Sequence, residues 1–351
     1  MADIDHFREQ VLGAAAAGRT LRIRGGGTKD WYGQHLEGDI LDTRAYSGVV
    51  DYEPTELVIT ARCGTPLSEI ETVLAQRGQM LAFEPPYFGD NATFGGIIAS
   101  GLSGPRRPTT GALRDFVLGA VMMDGRGEVL TFGGQVMKNV AGYDVSRLLA
   151  GSLGTLGLLL QMSVKVLPRP VRETTLRFAM SEIAALDQMN TWAGQPLPIS
   201  ATCWHDGVLT VRLSGAGAAV DAAERSLGGE SVADGAAFWR GLREQRHAFF
   251  TDATSLWRLS LPSAASAIIL RGELLIEWGG AQRWLKAPSD PVTAHNIRRS
   301  VRAAGGHATL FRGSDKNVGV FEPLAPAVAK IHQRLKDAFD PHGVFNPGRM
   351  Y

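Results

Sequence analysis

A run of three glycines near the start of the chain has the composition of a phosphate-binding loop. Residues 24–28 read Arg-Gly-Gly-Gly-Thr and directly follow an alternating segment, residues 21–24, that is typical of a short strand. Backbone N–H groups of successive glycines can turn inward and form a nest for phosphate oxygens, because no side chain obstructs the approach. Thr28 adds a hydroxyl donor. Considered alone, the run is explained equally well by a structural turn.

A second glycine-containing run, residues 91–104, offers the same kind of donor. Thr93 supplies a hydroxyl and the pair Gly95-Gly96 supplies backbone N–H groups, and the small-residue helix that follows adds partial positive charge at its N-terminus. Pro86, just upstream, stiffens the approach. Neither run contains Gly-Lys-Ser/Thr, nor Gly-x-Gly-x-x-Gly with an acidic residue at the Rossmann distance. A P-loop for ATP and an ordinary NAD fold are therefore both disfavoured.

A third run lies between residues 138 and 157. It begins Lys-Asn-Val-Ala-Gly-Tyr-Asp, continues as a short capped helix, and ends in a loop with glycines at 151, 154 and 157 before a buried strand. Taken alone, these glycines indicate only turns. The order and spacing of all three runs together are more specific than any one of them.

In that order and spacing the runs resemble the FAD-linked oxidases, the vanillyl-alcohol oxidase or PCMH-type flavoproteins. The resemblance covers residues 20–170 and recurs at residues 339–350, where Asp-Pro-His-Gly-Val-Phe-Asn-Pro-Gly-Arg is similar to the closing motif of the family. Residues 83–86, 101–107 and 306–312 resemble the FAD-binding subunits of bacterial glycolate oxidases. The resemblance implies an α+β fold, with a PCMH-type FAD-binding domain of two α/β subdomains and a smaller α+β cap domain.

The resemblance also implies a function and partners. The chain would be the FAD-binding subunit of a glycolate oxidase complex, taking part in oxidation of glycolate, a small 2-hydroxy acid, to glyoxylate beside a sister flavoprotein subunit and an iron–sulfur subunit. Two alternatives stay open: a non-catalytic FAD-containing assembly or electron-relay subunit, and a self-sufficient flavin oxidoreductase for another 2-hydroxy acid or alcohol. The His-rich, GDG-containing signature in the cap domain of the catalytic relatives is absent from this sequence. His205-Asp206-Gly207 resembles it only weakly, and a β-turn explains these three residues as well.

Carried over residue by residue, the resemblance implies where FAD is held. The first two runs would grip the diphosphate, the third would pass along the adenosine and ribityl portions, and Asn346 would return to the isoalloxazine edge. Some members attach flavin through a histidine after the first glycines, whereas this chain has Thr28 there, so non-covalent binding is expected. The full set of expected cofactor-binding residues is Arg24, Gly25, Gly26, Gly27, Thr28, Pro86, Asn91, Thr93, Gly95, Gly96, Gly151, Ser152, Gly154, Thr155, Gly157 and Asn346.

Candidate catalytic residues are His307 and Arg312. Oxidation of a 2-hydroxy acid calls for an arginine to bind the carboxylate and a histidine to act as base, and these two residues lie five apart. A structural role on a strand explains them as well.

The helices and strands that must position these residues can be predicted from the periodicity of apolar residues and from the glycines and prolines that end each element. Helices are expected at residues 3–17, after Thr65 with Pro66 at the first position, and after Pro326; strands are expected at 21–24, 57–61, 116–123, 128–132 and 155–166. A change in composition after Pro168 and Pro170 predicts an FAD-binding domain at 1–170, a substrate or partner (cap) domain at 171–310, and a segment at 311–351 that returns to the flavin domain.

Bulk composition excludes several classes of protein. A formal net charge of +1 over 351 residues gives no field that would attract nucleic acid. Two cysteines, Cys63 and Cys203, lack metal-ligand spacing, so no metal site is expected. The charged N-terminus is unlike a signal peptide, and no long apolar run predicts a membrane span. These features predict a cytoplasmic protein whose contact with a membrane, if any, comes through partner subunits.

Overall fold

The computed structural model describes residues 4–134 and 144–350, so the predicted segment Lys138 to Tyr143 lies outside the described residues. The helices are α1 (Ile4–Ala16), α2 (Leu67–Ala75), α3 (Phe94–Ser100), α4 (Arg107–Thr110), α5 (Leu113–Phe116), α6 (Val145–Leu148), α7 (Glu182–Ala193), α8 (Gly217–Leu227), α9 (Gly235–Arg243), α10 (Ala248–Thr251), α11 (Pro291–Ala303) and α12 (Pro326–Phe339). The strands are β1 (Leu21–Arg24), β2 (Asp39–Asp42), β3 (Val49–Glu53), β4 (Val58–Arg62), β5 (Gln79–Met80), β6 (Val117–Met123), β7 (Val129–Gly133), β8 (Leu158–Lys165), β9 (Leu167–Pro168), β10 (Arg172–Ala179), β11 (Ile199–His205), β12 (Val208–Gly215), β13 (Glu230–Ser231), β14 (Ser255–Ser260), β15 (Glu273–Glu277), β16 (Gln282–Lys286) and β17 (His307–Gly313).

The chain divides into two compact units. The first comprises Met1–Ser103, Gly111–Pro168 and Pro323–Tyr351, and the second comprises Gly104–Thr110 and Arg169–Glu322. The predicted boundary between residues 310 and 311 falls inside β17. Because β17 pairs with β14 as far as Gly313, the chain through Glu322 belongs to the second unit, and the returning segment starts later than the sequence suggested.

In the first unit a five-stranded antiparallel sheet has the order β3-β4-β8-β6-β7. The strands expected at 57–61, 116–123, 128–132 and 155–166 form β4, β6, β7 and β8 of this sheet, and the strand expected at 21–24 is β1, which pairs in parallel with β2. β8 is buried along most of its length, which explains its continuous apolar sequence. Helices α2 and α3 pack on the sheet through the fully buried side chains of Ile70, Leu74, Ile97 and Ile98. The expected α+β class is confirmed.

Helix α2 begins differently from the sequence prediction. Pro66 is the N-cap residue and no side chain caps the helix. The hydroxyl of Thr65 instead donates to the carbonyl of Arg62 at 2.7 Å and accepts the N–H of Gly48 at 2.8 Å. The buried hydroxyl of Thr65 therefore links the segments that contain Gly48 and Arg62 and does not cap α2.

The predicted amphipathic helix near the C-terminus is α12. Leu335 and Phe339 pack against the core of the first unit, as their spacing predicts. Val328 and Ile331, which continue the same apolar spacing toward the start of the helix, are exposed. The apolar stripe is thus partly buried in the last two turns of the helix and exposed before them.

The second unit is built on one antiparallel sheet of eight strands in the order β13-β10-β12-β11-β15-β16-β14-β17. Helices α7 and α8 contribute apolar side chains to the core at one end of the sheet, and α11 contributes to the core at the other end. β11 and β12 form a hairpin whose turn residues, Asp206 and Gly207, have φ of 47° and 76°. Positive φ at both central residues is the geometry of a tight hairpin turn, so the turn interpretation of His205-Asp206-Gly207 holds.

Over residues 4–134 and 144–350, no helix is long and apolar enough to cross a membrane. The same residues contain no group of three or more His, Cys, Asp or Glu that could hold a metal ion. Cys63 and Cys203 are buried free thiols, and burial raises the pKa of both well above the usual range.

Candidate functional site

The first two glycine runs meet in the first unit, and their glycines are required by that contact. A Cβ atom on Gly25 would lie 2.3 Å from the hydroxyl oxygen of Thr93, and a Cβ on Gly26 would lie 1.5 Å from the carbonyl oxygen of Asn91. Side chains cannot be accommodated at such distances. The absence of side chains at Gly25 and Gly26 therefore allows the loops to pack together, which is a different reason from the open approach to phosphate that the sequence suggested.

The cleft at this junction is lined mainly by the first run. Among the described residues, the backbone N–H groups of Gly25, Gly26, Gly27 and Thr28 have no hydrogen-bond acceptor. Gly27 has a φ of 71°, a conformation that glycine adopts without strain. The residues that line the cleft are Ile23, Arg24, Gly25, Gly26, Gly27, Thr28, Lys29, Asp30, Leu36, Thr93, Gly96, Ala99, Ser100, Leu153, Asn346 and Arg349. The loop thus has free backbone donors, as a phosphate nest requires.

The second run contributes Thr93, Gly96, Ala99 and Ser100 to the cleft, but the amide of Gly95 is used elsewhere. The Thr93 hydroxyl caps α3 by accepting the N–H of Gly96 at 3.2 Å, and the N–H of Gly95 donates to the carbonyl of Cys63 at 2.7 Å. A Cβ on Gly95 would also lie 2.6 Å from the Cβ of Cys63. Gly95 is therefore a packing residue. A Cβ on Gly96 would meet within 4 Å only the Thr93 hydroxyl oxygen, at 3.1 Å, and otherwise faces open space.

Two other residues expected to bind the cofactor, Pro86 and Asn91, do not line the cleft. Pro86 is buried and does not line the cleft. Asn91 has an exposed side chain, and its part in the junction is the backbone carbonyl that faces Gly26.

The third run docks on α3 and brings one unexpected residue to the cleft. Gly151 donates its N–H to Ile98 at 3.0 Å, and Leu153 donates its N–H to Ala99 at 2.8 Å. Leu153 lines the cleft, whereas the five expected residues of this run do not. Those five residues form the turn on either side of Leu153: Gly151, Ser152, Gly154, Thr155 and Gly157. Thr155, for example, bonds back to the Ser152 carbonyl through its hydroxyl at 2.7 Å.

Asn346 lines the cleft and joins it together. Its Oδ1 accepts the N–H of Ile23 at 2.9 Å, and its Nδ2 donates to the carbonyl of Leu153 at 2.7 Å. The side chain is buried, and a Cβ on Gly154 would lie 2.7 Å from Nδ2. Each functional group of the amide thereby makes one hydrogen bond within the protein, and Asn346 holds β1 against the third run.

Replacing Asn346 by alanine will lower the free energy of unfolding by about 2–4 kcal/mol. Two buried hydrogen bonds are lost, and alanine is disfavoured at the φ of 41° that residue 346 adopts. Urea unfolding followed by tryptophan fluorescence measures the loss. Asn296→Ala, at an exposed position of α11, is the control and should change the free energy by less than about 0.5 kcal/mol. A loss at residue 346 no larger than that of the control would contradict the bridging role.

Arg349 is a cleft residue that the sequence analysis passed over. Its guanidinium donates to the carbonyls of Lys29, Asp30 and Gln34 at 3.0–3.2 Å, so it fixes the segment that follows the first glycine run. Burial lowers the pKa of Arg349 to about 10, and the nearby Asp30 carboxylate opposes that shift. Its position in the closing motif, three residues after Asn346, was the signal that could have identified it.

The basic side chains at the cleft outnumber the acidic ones. Arg24, Lys29 and Arg349 line it, with Asp30 as the carboxylate among the lining residues. Arg24 Nε lies 3.2 Å from Asp30 Oδ2, and Lys29 Nζ donates to the Tyr87 carbonyl at 3.1 Å. Net positive charge beside free backbone N–H groups suits a diphosphate.

The two candidate catalytic residues lie at opposite ends of β17 in the second unit. His307 is opposite Ser260 and Arg312 is opposite Leu256 on β14, so four residues of β14, about 13 Å, separate them along the strand. Arg312 donates to Oε1 of Gln245 at 2.8 Å. Burial lowers the pKa of both side chains, and the Arg258 charge adds to the effect at His307. The arginine expected to bind the carboxylate and the histidine expected to act as base thus lie near the two ends of one strand, and their catalytic role stays a prediction.

Comparisons with known proteins agree with this geometry. Residues 2–133 match the family described as FAD binding domain. The chain is 51% identical over 343 residues to glycolate oxidase subunit GlcE of Escherichia coli, covering 98% of this chain and 96% of that protein. It is 30% identical over 152 residues to glycolate oxidase subunit GlcD of Bacillus subtilis, covering 43% of this chain and only 32% of that protein.

A solved structure of alkyldihydroxyacetonephosphate synthase has the same fold, with a TM-score of 0.66 at 15% identity over 98% of this chain and 74% of that one. The fold, the joined glycine runs and the match along nearly the whole length lead to one conclusion: the chain belongs to the FAD-linked oxidases, in the family of glycolate oxidase subunit GlcE.

Proposed function

We propose that this protein is the FAD-binding subunit of a glycolate oxidase complex and takes part in the oxidation of glycolate to glyoxylate. The observation that carries the proposal is the similarity to glycolate oxidase subunit GlcE, which extends through 98% of this chain. The cleft adds a physical basis, because free backbone donors and basic side chains surround a space that Gly96 leaves open.

The residues of the cleft divide into those that bind the cofactor and those that position the binding loop. The N–H groups of Gly25, Gly26 and Gly27 would bind the diphosphate, and Arg24 would add charge. Arg349 and Asn346 hold the neighbouring backbone in place through hydrogen bonds to carbonyl and amide groups. When bound, FAD supplies the capacity to accept a hydride from an alcohol carbon.

Binding would be non-covalent. Thr28 lines the cleft at the position where the first run ends, and a threonine hydroxyl has no ring nitrogen with which to attach flavin. Purified protein should be yellow, and acid precipitation should release all of the flavin into the supernatant as FAD. A colourless protein that cannot be reconstituted with FAD would refute the proposed function, and flavin retained in the pellet would refute non-covalent binding.

We further propose that the protein oxidises glycolate only as part of a multi-subunit complex. The partners would be a sister flavoprotein subunit, which resembles glycolate oxidase subunit GlcD, and an iron–sulfur subunit that takes the electrons onward. The two cysteines of this chain are 140 positions apart in the sequence and buried, which leaves a cluster to another subunit.

A second candidate function, an assembly or electron-relay subunit that carries FAD without oxidising substrate, is favoured by the separation of His307 and Arg312. Mixing the isolated, FAD-loaded chain with glycolate under anaerobic conditions distinguishes the two. Bleaching of the flavin absorbance near 450 nm by the chain alone would exclude the relay function.

A further inference from the structure

The second unit contains a cavity of about 250 Å³ on one face of its sheet. Strand register explains which side chains meet there. Arg177 of β10, Thr210 of β12 and Cys203 of β11 are direct cross-strand partners, and His205 and Val208 are partners where the hairpin begins to turn. Directly opposed residues project to the same face of a sheet, and so do residues two apart on one strand, so all five side chains share this face. Asp206, Phe238 and His247 complete the lining.

Arg177 is the main positive charge at this cavity. Its guanidinium lies over the ring of Phe238, 5.9 Å from the centroid. No carboxylate of the described residues lies within 4 Å of it, although Glu230 is its cross-strand neighbour on β13. The planar guanidinium therefore keeps its paired N–H donors available for a carboxylate.

His247 adds a second donor whose tautomer is fixed by the fold. Its Nδ1 accepts the N–H of Phe249 at 3.3 Å as the cap of α10, so the proton of the neutral ring is on Nε2. Burial lowers the pKa of His247, and the neighbouring His205 and Arg177 lower it further, which keeps the ring neutral at neutral pH. Nε2–H has no acceptor among the described residues, and neither has the hydroxyl of Thr210, which is 3% exposed.

The remaining charges restrict which anion would fit. Asp206 lines the cavity, and Glu273 beside it is bonded to His205 at 2.9 Å and to Lys286 at 3.0 Å. Arg177 and Lys286 together balance Asp206 and Glu273, so the site has no surplus positive charge to offset the second charge of a dianion, whereas a single carboxylate can pair directly with Arg177. Phe238 and Val208 provide apolar contact for a short carbon chain.

We infer that this cavity binds a small monocarboxylate, with the carboxylate on Arg177 and the Nε2–H of His247. The site belongs to the second unit and is independent of the proposed FAD cleft. A volume of about 250 Å³ is much larger than the roughly 10–15 Å³ that a single water molecule requires, so the cavity has room for a small carboxylic acid.

The test uses the full-length, FAD-loaded protein and propionate, a monocarboxylate that carries no hydroxyl group to be oxidised. Isothermal titration at constant ionic strength and pH 7.5 should show one propionate site on the wild type. Arg177→Gln should weaken binding about tenfold or more, because a charge-assisted pair of hydrogen bonds is lost. His247→Asn retains a cap acceptor for α10 while removing Nε2–H, and should weaken binding severalfold.

Arg225→Gln is the matched control, since Arg225 is an exposed arginine of the same unit that does not line the cavity. Its affinity for propionate should equal that of the wild type. Absence of propionate binding to the wild type would overturn the inference, and so would equal binding by Arg177→Gln. Tighter binding of inorganic phosphate or succinate than of propionate would overturn the assignment to monocarboxylates. If Arg177→Gln shows no cooperative thermal unfolding and is therefore not folded, the affinity of His247→Asn for propionate tests the inference instead.

Discussion

Gly96→Val will abolish FAD binding and leave the protein folded. Gly96 lines the cleft, and apart from its own helix the Thr93 hydroxyl is the only group of the described residues within 4 Å of a Cβ at that position. A branched side chain would therefore extend into the space that a phosphate oxygen needs, while displacing little of the protein itself. We expect the purified variant to be colourless and its FAD affinity to fall by at least about a hundredfold, the result of a steric clash together with loss of the hydrogen bonds made by the diphosphate.

Gly134→Val provides the control, because no atom of residues 4–134 and 144–350, chain neighbours aside, lies within 4 Å of a Cβ at that position and Gly134 is not a residue of the cleft. This variant should keep one FAD per chain. Fluorescence titration of apoprotein with FAD measures both affinities, and circular dichroism checks the fold. Unchanged FAD stoichiometry in Gly96→Val would mean that the diphosphate does not pass this residue.

Gly26→Ala will damage both stability and FAD binding, although it adds a single methyl group. The new Cβ would lie 1.5 Å from the carbonyl oxygen of Asn91, and both atoms belong to backbone that neighbouring elements hold. The two loops must separate to relieve the overlap. We expect the free energy of unfolding to fall by about 3 kcal/mol, at the upper end of the usual cost of overpacking, and FAD to be lost because the nest opens.

Gly13→Ala tests whether the effect comes from that contact. Gly13 lies in α1 of the same unit with open space around its Cβ position, so alanine should raise stability by about 0.5–1 kcal/mol through helix propensity. Urea unfolding of the apoproteins compares the two variants. A Gly26→Ala protein as stable as the wild type would show that the loops are not in contact as described.

Both predictions separate two uses of glycine that a sequence cannot distinguish. At Gly25, Gly26 and Gly95 the missing side chain makes room for other parts of the protein, whereas at Gly96 it makes room for a ligand. The sequence shows a glycine in each case. The distance from a virtual Cβ to its neighbours distinguishes them.

The sequence by itself determined what depends on local chemistry. A triple glycine after an alternating segment predicted a loop with free amides, and apolar periodicity predicted α1, β6 and β7 within a few residues. The resemblance at the closing motif implied that Asn346 lies at the isoalloxazine edge of FAD, and this role stays a prediction. These features follow from backbone preferences and side-chain patterns within short windows, so they can be read without knowledge of distant contacts.

Tertiary structure decided which chemical groups remain available. The N–H of Gly95 donates to the carbonyl of Cys63, and the side-chain amide of Asn346 makes one hydrogen bond with Ile23 and one with Leu153, partners as many as 323 positions away in the chain. Strand register likewise separated His307 from Arg312. It also placed Arg177 beside Thr210, although neither residue drew notice in the sequence. Register and loop docking arise from burial across the whole unit, and such long-range packing leaves no signature in the short segment where a functional residue is found.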